Sequence, residues 1–478
     1  MASKEILMLC KSAVSGAVKG SVVACTITLL SGCVAEQRLT WSPDGKKLAL
    51  VGSDGVRVST DGGLHLGEPV EEDAQLVSWF PDSKRVVVVS KSGCESWADL
   101  ENQVDKAEVD GIKASADQFL KQLESCNGDF AVCRDALLKE GFNANYLAQA
   151  LYYLRATAPD KMSKLVGREW AAMKLNDSMI PISSIKVFDV EAKGSLHARH
   201  TVARSTDDFE SAKVSPSNEF VCLVDNDGNL QLASTDSHEK GFREIASGFA
   251  KLPDWDVDTD VIYGLHTITK KIKASELKLQ ELVSIDARKP KSMKHLADVS
   301  SGHEKVRATV AGNLLFVSDA TIRSKNGKTR NVETLNLFAL SSGKARRIYL
   351  SAKGDRLENF EVSPDGKNVS VPNATGAVKV IALRDGKARL IASGNSKNEG
   401  DVFTPVWKNN EEICFEKVMA PDGHGQVALF SLHSGTTKNI SSDWPINAVS
   451  GVLTGGADKP LTFEKMIDQL KERKKRLH

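Results

Sequence analysis

Short apolar runs broken by polar turns fill most of this chain. Gln75-Leu76-Val77-Ser78-Trp79-Phe80 is an extended, partly apolar segment, Pro81-Asp82-Ser83 interrupts it, and Arg85-Val86-Val87-Val88-Val89 follows at once. Proline fixes φ at about −65°, and Asp with Ser or Gly completes a tight turn. The pattern therefore predicts two strands joined by a hairpin loop, the second mostly buried. A second hairpin follows most clearly at Val378-Lys379-Val380-Ile381-Ala382-Leu383 and Ala388-Arg389-Leu390-Ile391-Ala392, with Arg384-Asp385-Gly386-Lys387 as its turn. Each unit then holds four short antiparallel strands.

The unit repeats. Trp41-Ser42-Pro43-Asp44-Gly45-Lys46-Lys47 and Val362-Ser363-Pro364-Asp365-Gly366-Lys367 are its fullest copies, and Ser215-Pro216-Ser217-Asn218 is a degraded one. Weaker echoes start at Trp255, Val310 and Trp407. The proline-equivalent positions are 43, 81, 216, 257, 312, 364 and 409, so the steps are 38, 135, 41, 55, 52 and 45. Removing residues 95–180 reduces the long step to 49. Four-stranded units at this period read as blades of an all-β propeller, seven by this count, with six or eight left open by the weaker copies.

The removed segment has a different rhythm. Trp97, Leu100 and Val104, then Phe119, Leu120 and Leu123, then Tyr146, Leu147, Ala150, Leu151 and Leu154, and finally Leu165, Val166, Trp170 and Met173 fall at helical spacing. Residues 95–180 are expected to form a helical subdomain of three or four helices inserted between the second and third strands of blade 2. The propeller itself would occupy 33–94 and 181–450. Residues 451–478 form a tail in which Phe463, Met466, Ile467 and Leu470 share one face, ahead of a basic helix end.

On Trp41-Ser42-Pro43-Asp44-Gly45-Lys46 and Val362-Ser363-Pro364-Asp365-Gly366-Lys367, the chain resembles the TolB-like, WD40-related propeller repeats of bacterial envelope proteins. The resemblance covers residues 37–94 and 181–445. It implies a propeller and is nearly silent on function, since such repeats serve binding proteins and non-catalytic domains of enzymes alike. It also implies that the second-to-third-strand loops open on the same face as the loops between blades, so the insertion would cap or flank the channel mouth.

The first 32 residues change the picture of where the chain works. Lys19 precedes Ser21-Val22-Val23-Ala24-Cys25-Thr26-Ile27-Thr28-Leu29-Leu30, which is too short to span a bilayer, and Leu30-Ser31-Gly32-Cys33 follows. This looks like a lipoprotein signal peptide with a bacterial lipobox, in which Cys33 takes the lipid. By resemblance to enterobacterial lipoproteins, Val34 after that cysteine implies the periplasmic face of the outer membrane. The remaining partners expected are an envelope protein, peptide or glycan. Nucleic acid is not among them, because the 478 residues carry a formal net charge of only +1.

Candidate chemistry is sparse. Cys126 and Cys133 flank Asn127-Gly128-Asp129, where they could close a small disulfide or stay as two free thiols. Cys222 and Cys414 fall in strands as buried small hydrophobes. His197 and His200 lie on opposite faces of a strand, and Asp256, Asp258 and Asp260 read as a solvated turn rather than a calcium site. No GxSxG, HExxH or GxxxxGK[ST] occurs, and no cofactor, metal or catalytic residue is assigned. The inter-blade segments carry Glu71, Glu72, Asp207 and Asp208, with Asp73, Asp298, Glu304, Asp355, Glu399 and Asp401, in excess over nearby Lys and Arg. They read either as an acidic binding rim or as loops that are acidic only because they are solvated. The chain is thus read as a lipid-anchored envelope binding scaffold. The alternative is an envelope lyase or hydrolase, with channel-mouth residues drawn from several blades.

Overall fold

The computed structural model describes residues 38–129, 132–133, 136–137, 147–167, 180–236, 241–249, 252–272, 275–289, 291–299, 302–323, 329–352, 355–373, 377–392, 399–402, 405–419 and 425–450. Cys33, the signal segment and the tail 451–478 lie outside these residues, as do Tyr146, Trp170 and Met173.

Seven antiparallel sheets follow one another in chain order and form a seven-bladed β-propeller. Blade 1 holds Leu39–Trp41, Leu48–Gly52 and Gly55–Ser59, with a bridge from Val56 to Val70 at its outer edge. Blade 2 holds Ala74–Trp79, Arg85–Cys94, Ile180–Val190 and Leu196–Ser205. Blade 3 holds Phe209–Val214, Phe220–Asp225, Leu230–Ser234 and Phe242–Ala246. Blade 4 holds Asp254–Trp255, Val261–Ile272, Ser275–Asp286 and Lys294–Val299. Blade 5 holds Gly302–Thr309, Asn313–Arg323, Thr329–Ala339 and Lys344–Leu350. Blade 6 holds Glu361–Val362, Asn368–Pro372, Val378–Ala382 and Ala388–Ala392. In blade 7 the inner strand is split into Glu399–Val402 and Val406–Trp407, both paired to Glu412–Met419, and Gly425–Ser431 and Thr437–Asn439 complete it.

The repeated turn explains the repeated sequence. In blade 1 the Ser42 hydroxyl donates to Asp44 at 2.6 Å, Lys46 N donates to the same carboxylate, and Lys47 N donates to Ser42 Oγ at 2.9 Å. Blade 6 repeats the arrangement through Ser363, Asp365, Lys367 and Asn368. Gly45 has φ +68°, and a Cβ there would strike the Lys408 carbonyl of blade 7, so both conformation and space demand glycine.

Blades are held to one another by a second repeated device. The indole N–H of Trp79 donates to Thr40 O (3.2 Å), that of Trp255 to Lys213 O (3.0 Å) and that of Trp407 to Glu361 O (3.0 Å). Each bond runs from one inner strand to the carbonyl of the strand before it. Each seam also has its own apolar core: Val58 and Trp79 lie between blades 1 and 2, Val87 and Val221 between 2 and 3, Leu232 and Ile262 between 3 and 4. Leu265 and Leu314, Leu335 and Phe360, then Val380 and Phe415 serve the next three seams. The ring closes through Trp41, Leu48, Cys414 and Val427 together with Trp444 and Ala448, the latter on helix α5 (Ile446–Ser450).

The insertion leaves blade 2 as four described helices: α1 (Trp97–Gln103), α2 (Lys106–Ser125), α3 (Leu147–Thr157) and α4 (Pro159–Val166). Ser96 caps α1 and Asp105 caps α2 through their side-chain oxygens. Phe119, Leu123, Leu151, Leu154 and Met162 build a core private to the helices, and Trp97, Leu100 and Ile112 pack with Ile180 and Ile182 of blade 2. Cys126 and Cys133 are not joined. Both are free thiols, the second of the two alternatives that the sequence left open. Cys133 is buried with its sulfur toward Phe119 O at 3.9 Å, and burial pushes its thiol up to about 12. It fills the helical core as a small apolar group. Cys222 and Cys414 are buried in inter-blade cores as expected, with burial raising both to about 12. Among the described residues, no helix is long and apolar enough to cross a membrane.

Candidate binding face

Three second-to-third-strand connections rise from one face of the ring. Blade 2 carries the helices. In blade 4 the ladder from Ile268↔Leu279 to Ile272↔Ser275 continues beyond the last pairing of its inner and outer neighbours. Blade 5 does the same from Asp319↔Glu333 to Arg323↔Thr329. Five residue pairs make each ribbon project by about 15 Å. Neither ribbon was read from the sequence.

The helices dock at the loop between blades 2 and 3. Glu108, in the first turn of α2, accepts from Thr206 N at 2.7 Å and from Thr206 Oγ1 at 2.5 Å, while Gln149 of α3 donates to Thr206 O at 3.3 Å. This loop belongs to the inter-blade set, so the insertion and those loops do share a face. Burial raises the Glu108 carboxyl against the pull of its Thr206 bonds. Asp207 is pushed up to about 7 by burial and by Glu108 and Asp225, with the Gln231 hydrogen bond opposing. Gln231 Nε2 spans Asp207 Oδ2 (2.9 Å) and Asp225 Oδ2 (3.4 Å).

The expected rim residues are therefore distributed unevenly. Glu71, at φ 57°, is paired with Lys186 at 2.8 Å and accepts from Ser90 Oγ at 3.0 Å. Asp208 pairs with Lys91 at 2.8 Å, and Lys91 N donates to Asp73 O. Asp207 is half-buried in the acid cluster, and Glu72 is exposed. These contacts bring Glu71, Asp207 and Asp208 to the blade 1–2–3 junction beneath the helices. Glu108, Asp225, Lys91 and Lys186 escaped sequence reasoning. An acid in a first helical turn looks like an ordinary dipole partner, and only the chain's path brings Glu108 to a residue 98 positions away.

Further round the face, Asp355 has no exposed side-chain surface and meets Lys379, Asn373 (2.9 Å) and Tyr349 OH (2.9 Å). Burial alone would raise this carboxyl, but Lys379, the Ala352 amide, Asn373 and Tyr349 together hold it below its usual range. On blade 4, His266 lies 3.0 Å from Glu281, and His295 lies 3.1 Å from Asp298. His200 meets Thr235 O at 3.0 Å. Asp256 accepts from Asp258 N and Thr259 N, and Asp260 takes Arg288 at 2.7 Å, so these acids serve the turn. No group of three or more His, Cys, Asp or Glu among the described residues is arranged to hold a metal.

A second network lies on the inner strands of four successive blades. Lys213 of blade 3 meets Asp254 of blade 4 at 2.9 Å, and Glu361 of blade 6 receives Lys305 and Arg307 of blade 5, each at 2.8 Å. Asp254 also accepts from Ala308 N. Burial outweighs Asp254 and Glu361 and lowers Lys213. Burial would raise Glu361, but Arg307, Lys305 and Lys213 hold it far below the usual carboxylate range. Two buried cations, the half-buried Lys213 and two acids thus bind blades 3–6 together. Lys305 is almost fully buried in this network.

No family model matches the chain, and no curated protein does. Among solved structures it is similar to TolB from Acinetobacter baumannii, at 15% identity over 54% of this chain, with a TM-score of 0.36. That match takes in 59% of the Acinetobacter chain. The putative TolB from Agrobacterium tumefaciens is 14% identical over 50% of this chain and 83% of its own, with a TM-score of 0.35. The β-propeller domain of the Trilobed protease from Pyrococcus furiosus is 11% identical over 84% and 95%, with a TM-score of 0.44.

Proposed function

We propose that this chain is a binding scaffold of the bacterial envelope, held to a membrane by lipid on Cys33, that engages an envelope protein through the face bearing the helices and ribbons. The observation that carries the reading is the concentration of three projecting elements on that one face. Projections on a rigid ring build a concave, shape-specific surface, and loops positioned by a stable scaffold are where binding residues collect. The acids at its base are mostly spent on local lysines and amides. Specificity would then come from the shape of the helices and ribbons, with exposed Glu72 adding charge.

Capture from detergent-solubilised envelope tests this. The full chain should retain a stoichiometric partner, and a chain with residues 95–179 replaced by an Asn-Gly turn should lose it. A partner retained by the shortened chain would move binding off this face. Lipid attachment is tested separately: a fatty-acid analogue should label the wild type and not Cys33→Ala, and label kept by the variant would remove the anchor from the proposal.

A further inference from the structure

The outer edge of blades 5–7 carries an excess of exposed basic side chains. Lys344, Arg346 and Arg347 on the outer strand of blade 5 are exposed, as are Arg384, Lys387 and Arg389 at the last turn and outer strand of blade 6. Lys438 extends the set onto blade 7. The patch is continuous. Arg346 Nη2 donates to Leu383 O at 3.0 Å, Gly386 packs under Ile348 O, and Arg389 Nη2 lies 3.9 Å from the Cβ position of Gly435 in the blade 7 turn. Asp385 is the acid set among these cations, and it sits 3.5 Å from Lys387.

Lysines on edge strands commonly guard against strand pairing, but that purpose would treat all blades alike. The corresponding edges of blades 2 and 3 are mixed. Arg199 is matched with Asp189 at 3.3 Å, and Arg243 neighbours Glu244. On blade 4 the last turn and outer strand add exposed Lys289, Lys291 and Lys294 beside Asp286 and Asp298, so the excess runs along blades 4–7 of a nearly neutral chain and is strongest on blades 5 and 6.

We propose that this rim is a docking surface for an anionic phospholipid bilayer. It lies on strand edges and turns rather than in a groove that would follow a polymer. Among its exposed side chains, Leu390 at 54% supplies an apolar contact, and no exposed aromatic platform is present to stack bases. A planar anionic surface engages such cations together, with binding that falls as salt rises. The inference is independent of the partner-binding face and of Cys33.

The test is sedimentation of the full chain with phosphatidylcholine vesicles, with and without phosphatidylglycerol. Wild type should prefer the anionic vesicles by at least about tenfold, since each cation contributes about fivefold. Arg346→Gln, Arg347→Gln, Lys387→Gln and Arg389→Gln together should remove most of the preference for anionic vesicles, leaving only the share of Lys344, Arg384 and Lys438. The N-terminal segment is common to both proteins and cancels in the comparison. Arg389→Gln alone should show a severalfold loss, which keeps the test readable if the fourfold variant misfolds. Equal partition of wild type and Arg389→Gln would overturn the proposal. So would patch-dependent binding to duplex DNA without preference for anionic vesicles.

Discussion

Arg38 and Glu416 meet at 2.8 Å across the seam between the first and last blades, with side chains 7% and 5% exposed. Among the described residues no strand is shared between those blades, and side chains and the segment after blade 7 join them. Arg38 also donates to Val51 O and Ala448 O, each at 2.6 Å, and Trp444 Nε1 donates to Gly63 O at 3.0 Å. The guanidinium therefore fastens blade 1, blade 7 and helix α5 at one point.

Removing one member of this pair strands the other as a buried charge, which costs roughly 3–5 kcal/mol. Arg38→Met and Glu416→Met should each destabilise by that order in urea unfolding. The double variant should lose clearly less than the sum, because neither charge is then left alone. Additive losses would mean that the two side chains do not interact across the seam.

The inter-blade tryptophans supply a sharper comparison. Trp79, Trp255 and Trp407 each donate to the preceding blade, but the indole N–H of Trp41 at the closing seam reaches no carbonyl and has only the Cys414 thiol beside it. Trp→Phe should cost about 1–2 kcal/mol more at 79, 255 or 407 than at 41, since only those three lose a bond to a backbone carbonyl. Thermal unfolding of the four variants reads the difference. An equal loss at Trp41 would show an acceptor at the seam.

Much of the ring was legible because its turns are local. Ser42, Asp44 and Gly45 satisfy one another within six residues, so the same letters recur wherever the same turn does. All seven turn positions read from the sequence fall between an inner and a second strand. The ribbons of blades 4 and 5 were not seen, because extra pairs in a long hairpin look like any alternating strand. The junction beneath the helices was half legible: Glu71, Asp207 and Asp208 were noticed as acids. The lysines that pair with Glu71 and Asp208, Lys186 and Lys91, and the Glu108 that repels Asp207 lie up to 115 residues away and became visible only once the chain was folded.

Opposed carboxyl shifts give a stability maximum in weak acid. Asp207 and Glu416 are both raised to about 7 by burial, Asp207 with Glu108 adding and Glu416 against the pull of Arg38. The folded chain therefore holds protons there that the unfolded chain releases above about pH 4. Stability should fall as pH climbs from about 5 to 8. Asp44, Asp355, Glu361 and Asp365 are lowered, so their contribution is present above their unfolded range and is lost as pH drops below about 4. Tm should peak near pH 5, and Asp207→Asn should flatten the alkaline limb by on the order of 1–3 °C. An unchanged limb in that variant would remove Asp207 from the linkage.

The helical insertion should be separable from the ring. Its two ends are direct cross-strand partners, Cys94 opposite Ile180 and Gly93 opposite Pro181, so a two-residue Asn-Gly turn can replace residues 95–179 without shifting the register. Phe119, Leu123, Leu151 and Leu154 leave together, because they pack chiefly on one another. The deletion exposes Cys94, Ile180 and Ile182, which now lie under Trp97, Leu100 and Ile112, and it frees Thr206 from Glu108. Glu108 also repels Asp207, so losing it removes one source of repulsion. The shortened chain should lose most of its helical circular dichroism and keep a cooperative β transition, with Tm lowered by several degrees rather than abolished. Adding Ile180→Thr and Ile182→Thr should improve its solubility. Loss of the cooperative transition in both forms would show that the ring needs the helices in order to fold.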